Sequence, residues 1–220
     1  MINIEGKKKH APLHHYTKIT FLLHLLSQRK VTLVNPLNWP DKNEVSTFEA
    51  YMEKERVTSI YALSLTSAKE TAHHWNSFAS GIDGCRISFR KDSLEKYVCE
   101  NNSLKLEKIR YINRGGLKRA LNSEEITSRS YPFIKRDLFR HEEEYRLIFS
   151  DSKTQNKLYH LEIDLDIISS ITINAIMDRE VFESIKRILK IVSNNTSIQI
   201  RQSNLLEDYH WGKLFKYETR

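Results

Sequence analysis

Cysteine is nearly missing from this 220-residue chain: Cys85 and Cys99 are the only two. They form no CxxC pair and no zinc spacing, so they read as reduced, partly buried thiols rather than a disulfide framework. Glycine (six) and proline (four) are sparse as well, which leaves no flexible linker and no low-complexity segment. No apolar run reaches the roughly 18–20 residues of a membrane span. The longest, at 19–26 and 185–192, are broken by polar side chains. Residues 1–9 hold no signal-peptide core, so a cytoplasmic protein with no membrane partner is expected. HExxH, GxSxG and GxxxxGK with a following Ser or Thr are all missing, as is any His/Cys ligand cluster. His10 and His14 are four apart, but Pro12 between them spoils a helical zinc pair. No resident metal is expected.

What is present suffices for an ordinary core: 40% of the residues are hydrophobic. The length fits a single domain over 1–220, with a motif-bearing core at about 13–176 and a C-terminal helix, strand and tail at 177–220. Thirty-five basic residues outnumber 28 acidic ones, for a net charge of +7. Such a balance favours anionic partners, whether nucleic acid, nucleotide or acidic protein. The cations gather in three knots: Lys7, Lys8 and Lys9; then Lys105, Lys108, Arg110, Arg114, Lys118 and Arg119; then Lys135, Arg136 and Arg140.

Periodicity predicts short strands alternating with short helices. Strands are predicted at 13–16, 31–34, 59–65, 84–89, 104–111, 145–149, 157–163, 171–175 and 197–201. Helices are predicted at 18–28 with Thr17 as N-cap, at 48–56, after a Ser67/Glu70 capping box running through Trp75, at 94–99, from Pro132 onward, and over 181–192. Residues 36–44 read as a loop, and Gly115-Gly116 as a chain break. Strands outnumber helices and several follow one another directly, which argues for α+β rather than a doubly wound parallel sheet.

Three segments place unusual polar residues at strand ends. His14-His15-Tyr16-Thr17 stands at a strand-to-helix junction, where an imidazole beside Tyr and Thr can present donors and a ring. Asn35-Pro36-Leu37-Asn38-Trp39-Pro40-Asp41, followed by Glu44, offers Trp39 either as a lid or as a core anchor. Glu142, Glu144 and Arg146 alternate, so a strand starting near 142 would put them on one face. Two carboxylates and a guanidinium buried together need pairing or a ligand. The same residues also admit a solvated edge strand with an internal ion pair. Carboxylates at 142 and 144 with an Asp could instead hold Mg²⁺ for a nuclease.

These segments together resemble the bacterial domain of unknown function 2971 family. The resemblance covers about residues 13–176: His15-Tyr16-Thr17; Asn35-Pro36 with Trp39, Asp41 and Glu44; Ser64-Leu65-Thr66; Trp75 with Phe78 ahead of 84–89; and Lys135-Arg136, Phe139 and Glu142-x-Glu144-x-Arg146. Phe78 stands where that family often has Tyr, so no hydroxyl is available there. The layout is in turn similar to ADP-ribosyltransferases, whose DNA-modifying toxins also show His followed two residues later by Thr. That likeness implies two small packed sheets with flanking helices and NAD⁺ bound between them as substrate. It implies His15, Glu144 and Glu142 as catalytic. It implies Tyr16, Thr17, Ser64, Thr66, Trp75, Phe78, Lys135, Arg136 and Arg146, with His15, as the NAD-binding set. Tyr16, Trp75 or Phe78 would stack on nicotinamide, and Arg146, or Lys135 with Arg136, would meet the diphosphate. The implied setting is a bacterial toxin or anti-phage effector, acting on DNA, RNA or protein, with a neutralising antitoxin as a partner. The alternatives are a non-catalytic nucleotide or nucleic-acid binding module and the metal-dependent nuclease.

Overall fold

The computed structural model describes residues 11–152, 156, 158–194, 196–207, 211, 213 and 214. The Lys7–Lys9 knot, His10, Lys157, Phe215 and Tyr217 lie outside the described residues.

The elements run β1 (Leu13–Lys18), α1 (Ile19–Gln28), β2 (Lys30–Val34), α2 (Lys42–Glu55), β3 (Ser59–Thr66), α3 (Ala72–Phe78), β4 (Gly84–Phe89), α4 (Lys91–Cys99), β5 (Leu104–Lys108), β6 (Arg110–Ile112), α5 (Arg114–Asn122), β7 (Ile134–Arg136), β8 (Glu144–Asp151), β9 (Leu158–Glu162), β10 (Ile168–Ile173), α6 (Arg179–Val192) and β11 (Gln199–Gln202). Short 3-10 turns occupy Pro36–Asn38, Ser128–Phe133, Asp137–Glu142 and Leu165–Ile167. The chain is α+β. Nine strands hydrogen-bond into one sheet, and β6 and β7 form a separate parallel pair.

The two small sheets anticipated from the sequence are halves of that single nine-stranded network. β3 pairs with β8 over its full length, from Ser59↔Asp151 to Thr66↔Glu144. Its other edge meets β1 only at His14↔Thr66 and β2 only at Val34↔Ala62. Between those contacts β1 and β2 part company. One half continues through β1, β4, β10 and β11, the other through β2 and β9. The opening is the cavity described below.

Both faces of the sheet are covered, which is why β3 reads as a nearly unbroken apolar run. Alternate side chains enter different cores. Leu63, Leu65 and Leu147 join the main core, with Leu22 and Leu26 of α1 and Phe182 and Leu189 of α6. Ile60, Ala62 and Ile148 pack on Phe48 and Tyr51 of α2 in a second core. Gly84 permits one close approach: a Cβ there would fall 1.9 Å from the Ala79 carbonyl, just beyond α3.

Several helix starts differ from expectation. Thr17 stays within β1, and Lys18 is the α1 N-cap without a side-chain cap bond. The Ile19 N–H is satisfied instead by the Asp83 carbonyl at 2.9 Å. Asp41 accepts from the Asn43 N–H at 2.9 Å and opens α2 six residues before the predicted start. Thr71, not Ser67, caps α3; Ser67 donates to Glu143 Oε2 at 3.1 Å. Gly115 and Gly116 do not break the chain: Asn113 caps a helix that contains them. The helix expected after Pro132 is two 3-10 turns flanking β7. Among the described residues, no helix is long and apolar enough to cross a membrane.

Candidate active site

The parting of β1 from β2 opens a cavity of about 580 Å³, within the range of roughly 300–1,000 Å³ usual for small-molecule sites. His14, His15, Tyr16 and Thr17 all line it. Successive strand residues point to opposite faces, so four in a row can line one space only if it wraps around the β1 edge. Leu25, Val31, Leu63, Ile87 and Phe89 of the main core line the cavity. Thr66, His74, Phe78, Glu142 and Glu144 also line it.

His15 and Glu144, 129 positions apart, both line this cavity and are joined through Ser64. The His15 Nδ1–H donates to the Ser64 carbonyl at 2.9 Å, on the stretch of β3 edge that β1 has left. A carbonyl can only accept, so the proton is on Nδ1 and the Nε2 lone pair is free to accept. Burial lowers the His15 pKa, although its bond to the Ser64 carbonyl opposes this, and the ring is held neutral. The Ser64 hydroxyl then donates to Glu144 Oε1 at 2.7 Å.

Glu144 belongs to a five-membered charged cluster. Arg146 lies at its centre with no exposed surface. Its Nε donates to Glu144 Oε1 at 2.9 Å, its Nη1 to the Pro132 carbonyl at 2.6 Å and its Nη2 to Glu44 Oε1 at 2.6 Å. Trp39 and Phe48 cover the guanidinium at 5.1 and 5.3 Å. Lys135 Nζ stands 2.6 Å from Glu142, 3.0 Å from Glu144 and 3.6 Å from Glu44. Three carboxylates against two cations leave one negative charge on the cavity wall. Burial pushes the Glu144 carboxyl up, but Arg146, Lys135 and the Ser64 hydroxyl outweigh it, so its pKa lies below the usual range. Burial wins for Glu142, whose pKa is raised despite Lys135. The Lys135 ammonium is penalised by burial, yet its carboxylate neighbours drive its pKa up.

The local chain explains the arrangement. β8 begins at Glu144 rather than near 142, because Glu143 takes a left-handed conformation (φ 43°, ψ 46°) that ends the preceding 3-10 turn. Glu142 therefore approaches from that turn, and the Thr66 hydroxyl holds its carbonyl at 2.6 Å.

Of the residues singled out from sequence, His15, Tyr16, Thr17, Ser64, Thr66, Phe78, Lys135, Glu142 and Glu144 line the cavity. Arg146 does not: it is sealed beneath the wall with its donors engaged, so it positions Glu44 and Glu144 and cannot meet a diphosphate. Trp75 does not either: it is buried, with Nε1 bound to Glu70 Oε1 at 2.9 Å and its ring edge-on to Tyr16. Arg136 points outward to an ion pair with Asp41 at 3.1 Å. Tyr16 lies almost parallel to His74, with ring centroids 5.5 Å apart and Trp75 at its edge. Its ring is thus packed by protein and not offered for stacking. Lys135 is engulfed by carboxylates.

Three contributors to the wall went unassigned from sequence. Glu44 was quoted only as a motif residue, because residues 36–44 read as loop; its 102-residue separation from Arg146 hid the pairing. Lys30 lines the cavity beside Thr32 with a partly exposed ammonium, 3.4 Å from Glu162. His14, bound through Nδ1 to Ser88 Oγ at 2.9 Å, lines the Tyr16 side. Burial, then Arg86, bring its pKa down to about 4.

No family model and no curated protein matches the chain. The resemblance to domain of unknown function 2971 therefore stands on its motif residues alone. Three solved structures of DarT from Thermus sp. 2.9 are similar to it. The complex with NAD⁺ matches at 11% identity and a TM-score of 0.46, over 88% of this chain and 95% of that one. The complex with carba-NAD⁺ matches at 11% and 0.45, over 90% and 97%. The complex with ADP-ribosylated ssDNA matches at 12% and 0.44, over 88% and 94%. At such identities and scores no residue role is carried across.

Proposed function

We propose that this protein is an ADP-ribosyltransferase-like enzyme of the domain of unknown function 2971 type, which cleaves NAD⁺ and passes ADP-ribose to a macromolecular acceptor. The observation that supports it is the convergence of His15 and Glu144 on one cavity through Ser64. A neutral imidazole presenting a lone pair suits a ribose hydroxyl, which donates. Thr17, two residues on along β1, lines the same cavity. As the nicotinamide–ribose bond breaks, positive charge builds on the ribose. Glu144, kept ionised and fixed by three donors, is preorganised to stabilise it without reorganising. Glu142, with its raised pKa, is suited to take the acceptor's proton. Phe78 supplies an apolar wall for the departing ring. Lys30 replaces Arg146 and Arg136 as the cation that meets the diphosphate.

The acceptor assigned is nucleic acid, DNA or RNA. Arg114, Lys118 and Arg119 of α5, Arg136 at the end of β7 and Arg140 shortly after it are exposed cations that could meet phosphates. The Tyr111 hydroxyl of β6 accepts the Glu144 N–H at 2.8 Å. A toxin or anti-phage role, with an antitoxin that covers the cavity and a cytoplasmic setting, completes the reading. The nuclease alternative fits less well, because the three carboxylates converge on the Lys135 ammonium, which occupies the point a cation would need. A non-catalytic binding module would hold NAD⁺ and form no product.

The test is incubation with labelled NAD⁺ and DNA, RNA or protein acceptors. Label transfer with nicotinamide release supports the reading. Binding without product supports the module, and Mg²⁺-dependent nucleic-acid cleavage indifferent to NAD⁺ supports the nuclease.

A further inference from the structure

Two exposed histidines stand outside the cavity lining. His73 is the second residue of α3, and His141 lies in the 3-10 turn Asp137–Glu142. Their Nε2 atoms face each other at 3.0 Å, across 68 positions of sequence. The ring centroids are 4.7 Å apart and the ring planes cross at 75°. Imidazole nitrogens this close share either one proton or one cation. A proton serves if one ring donates and the other accepts; a cation serves if both present lone pairs.

The ring positions favour the cation. Histidine binds a metal ion at about 2.0–2.1 Å, so nitrogens at the observed 3.0 Å subtend about 90–100° at a common ion. With both rings aimed at that ion, bonds of this length place the centroids about 4.7 Å apart. That is the separation observed. A straight N–H···N bond of the same length would carry the centroids out to about 5.3 Å. Both rings are therefore turned off the line between their nitrogens, towards a point beside it.

We propose that His73 and His141 form a two-imidazole site for a divalent transition ion, which clips α3 to the turn that delivers Glu142. The near right-angled bite suits a tetragonal or square-planar ion, so Cu²⁺ and Ni²⁺ lead, with Cu²⁺ the tighter. Among the described residues no three His, Cys, Asp or Glu side chains group as a metal site. Water then completes the coordination, and the ion is exchangeable rather than resident. Both anchors adjoin the cavity wall: His74 and Phe78 of α3 line it, and so does Glu142, the residue after His141. A bound ion ties these two sections of wall together. The site stands whether or not the cavity takes NAD⁺. His24 and His160 provide an internal control. Their centroids are 5.3 Å apart, and His160 Nδ1 is engaged with Thr32 Oγ1 at 3.1 Å.

The experiment is titration of Cu²⁺ alone into the full chain and its His73→Ala, His141→Ala and His160→Ala variants, followed by electron paramagnetic resonance. The one-equivalent complex should show two equatorial nitrogens in the wild type and in His160→Ala, and one or none in the other two. Cu²⁺ affinity should fall by at least about tenfold in His73→Ala and in His141→Ala, since a direct ligand costs no less than an outer-shell partner does. Both side chains are exposed, so the metal-free variants should melt with the wild type, which separates a lost site from a lost fold. Ni²⁺ should raise the Tm of the wild type, as a ligand held only by the folded chain does, and leave these two variants unmoved. Equal Cu²⁺ affinity in the wild type and both variants overturns the site. So does a wild-type spectrum with fewer than two equatorial nitrogens, which decides the matter alone if a variant fails to fold.

Discussion

Replacing Arg146 with Met separates a positioning role from a ligand-binding one. The guanidinium has no exposed surface and holds Glu44, Glu144 and the Pro132 carbonyl at 2.6–2.9 Å. Met fills much of the volume but returns none of these bonds. Glu144 keeps Lys135 at 3.0 Å and the Ser64 hydroxyl at 2.7 Å, while Glu44 keeps only the longer 3.6 Å contact with Lys135. The cluster goes from one net negative charge to two. Breaking a buried pair by removing one partner costs about 3–5 kcal/mol, a large share of the roughly 5–15 kcal/mol that holds a domain folded. Urea denaturation followed by fluorescence should show a loss of that size. Adding Glu44→Gln to Arg146→Met should restore part of it, because the stranded charge is then gone. Acid sensitivity should change as well. A carboxyl whose folded pKa is depressed contributes stability above its unfolded value that is lost as pH falls through the folded value. Without Arg146 the Glu144 pKa rises, so acid unfolding should begin at higher pH. A loss under about 1 kcal/mol, together with sharply weaker NAD⁺ binding, would contradict the sealed placement.

Gly84→Ala should lower Tm strongly, since its Cβ would lie 1.9 Å from the Ala79 carbonyl; a thermal melt within a degree of wild type would refute that close approach. The His14 imidazole should titrate near 4 by NMR. Its folded pKa lies below the unfolded 6.5, so the unfolded chain binds the extra proton first, and this group's contribution to stability should fall as pH drops from about 6.5 to 4. If α5 contacts phosphates, replacing Lys118 and Arg119 with Ala should weaken single-stranded DNA or RNA binding and reduce the salt slope by about 2. An unchanged slope would move the nucleic-acid surface elsewhere.

The strands were legible as short apolar runs, which is how a strand covered on both faces reads. β2, β3, β4 and β8 appear close to their predicted spans, as does α6 with its apolar stripe, while β10 begins three residues early. Misplaced helix starts trace to local capping chemistry: Asp41, Thr71 and Asn113 each accept a backbone N–H that the sequence pattern assigned elsewhere or not at all. His15 and Glu144 could be named because the family resemblance singles them out; they stand within β1 and at the start of β8. Arg146, on the same β8 face as Glu144, looked equally available. Only packing shows Trp39 and Phe48 closing over it. Glu44 and Lys30 escaped for the converse reason. Their roles depend on contacts across 102 residues and on where β1 and β2 diverge, and no local pattern encodes either.

Nicotinamide release from NAD⁺ by the wild type and by Glu144→Gln, compared at equal fold stability, addresses the central claim most directly. Gln keeps the shape and removes the charge, while Arg146 and Lys135 retain Glu44 and Glu142 as partners. The expected outcome is release by the wild type and a drop of about 10²–10³ in the variant, with a closely similar melting temperature. Equal release by both proteins would show that the carboxylate joined to His15 through Ser64 is not the group that stabilises the departing bond.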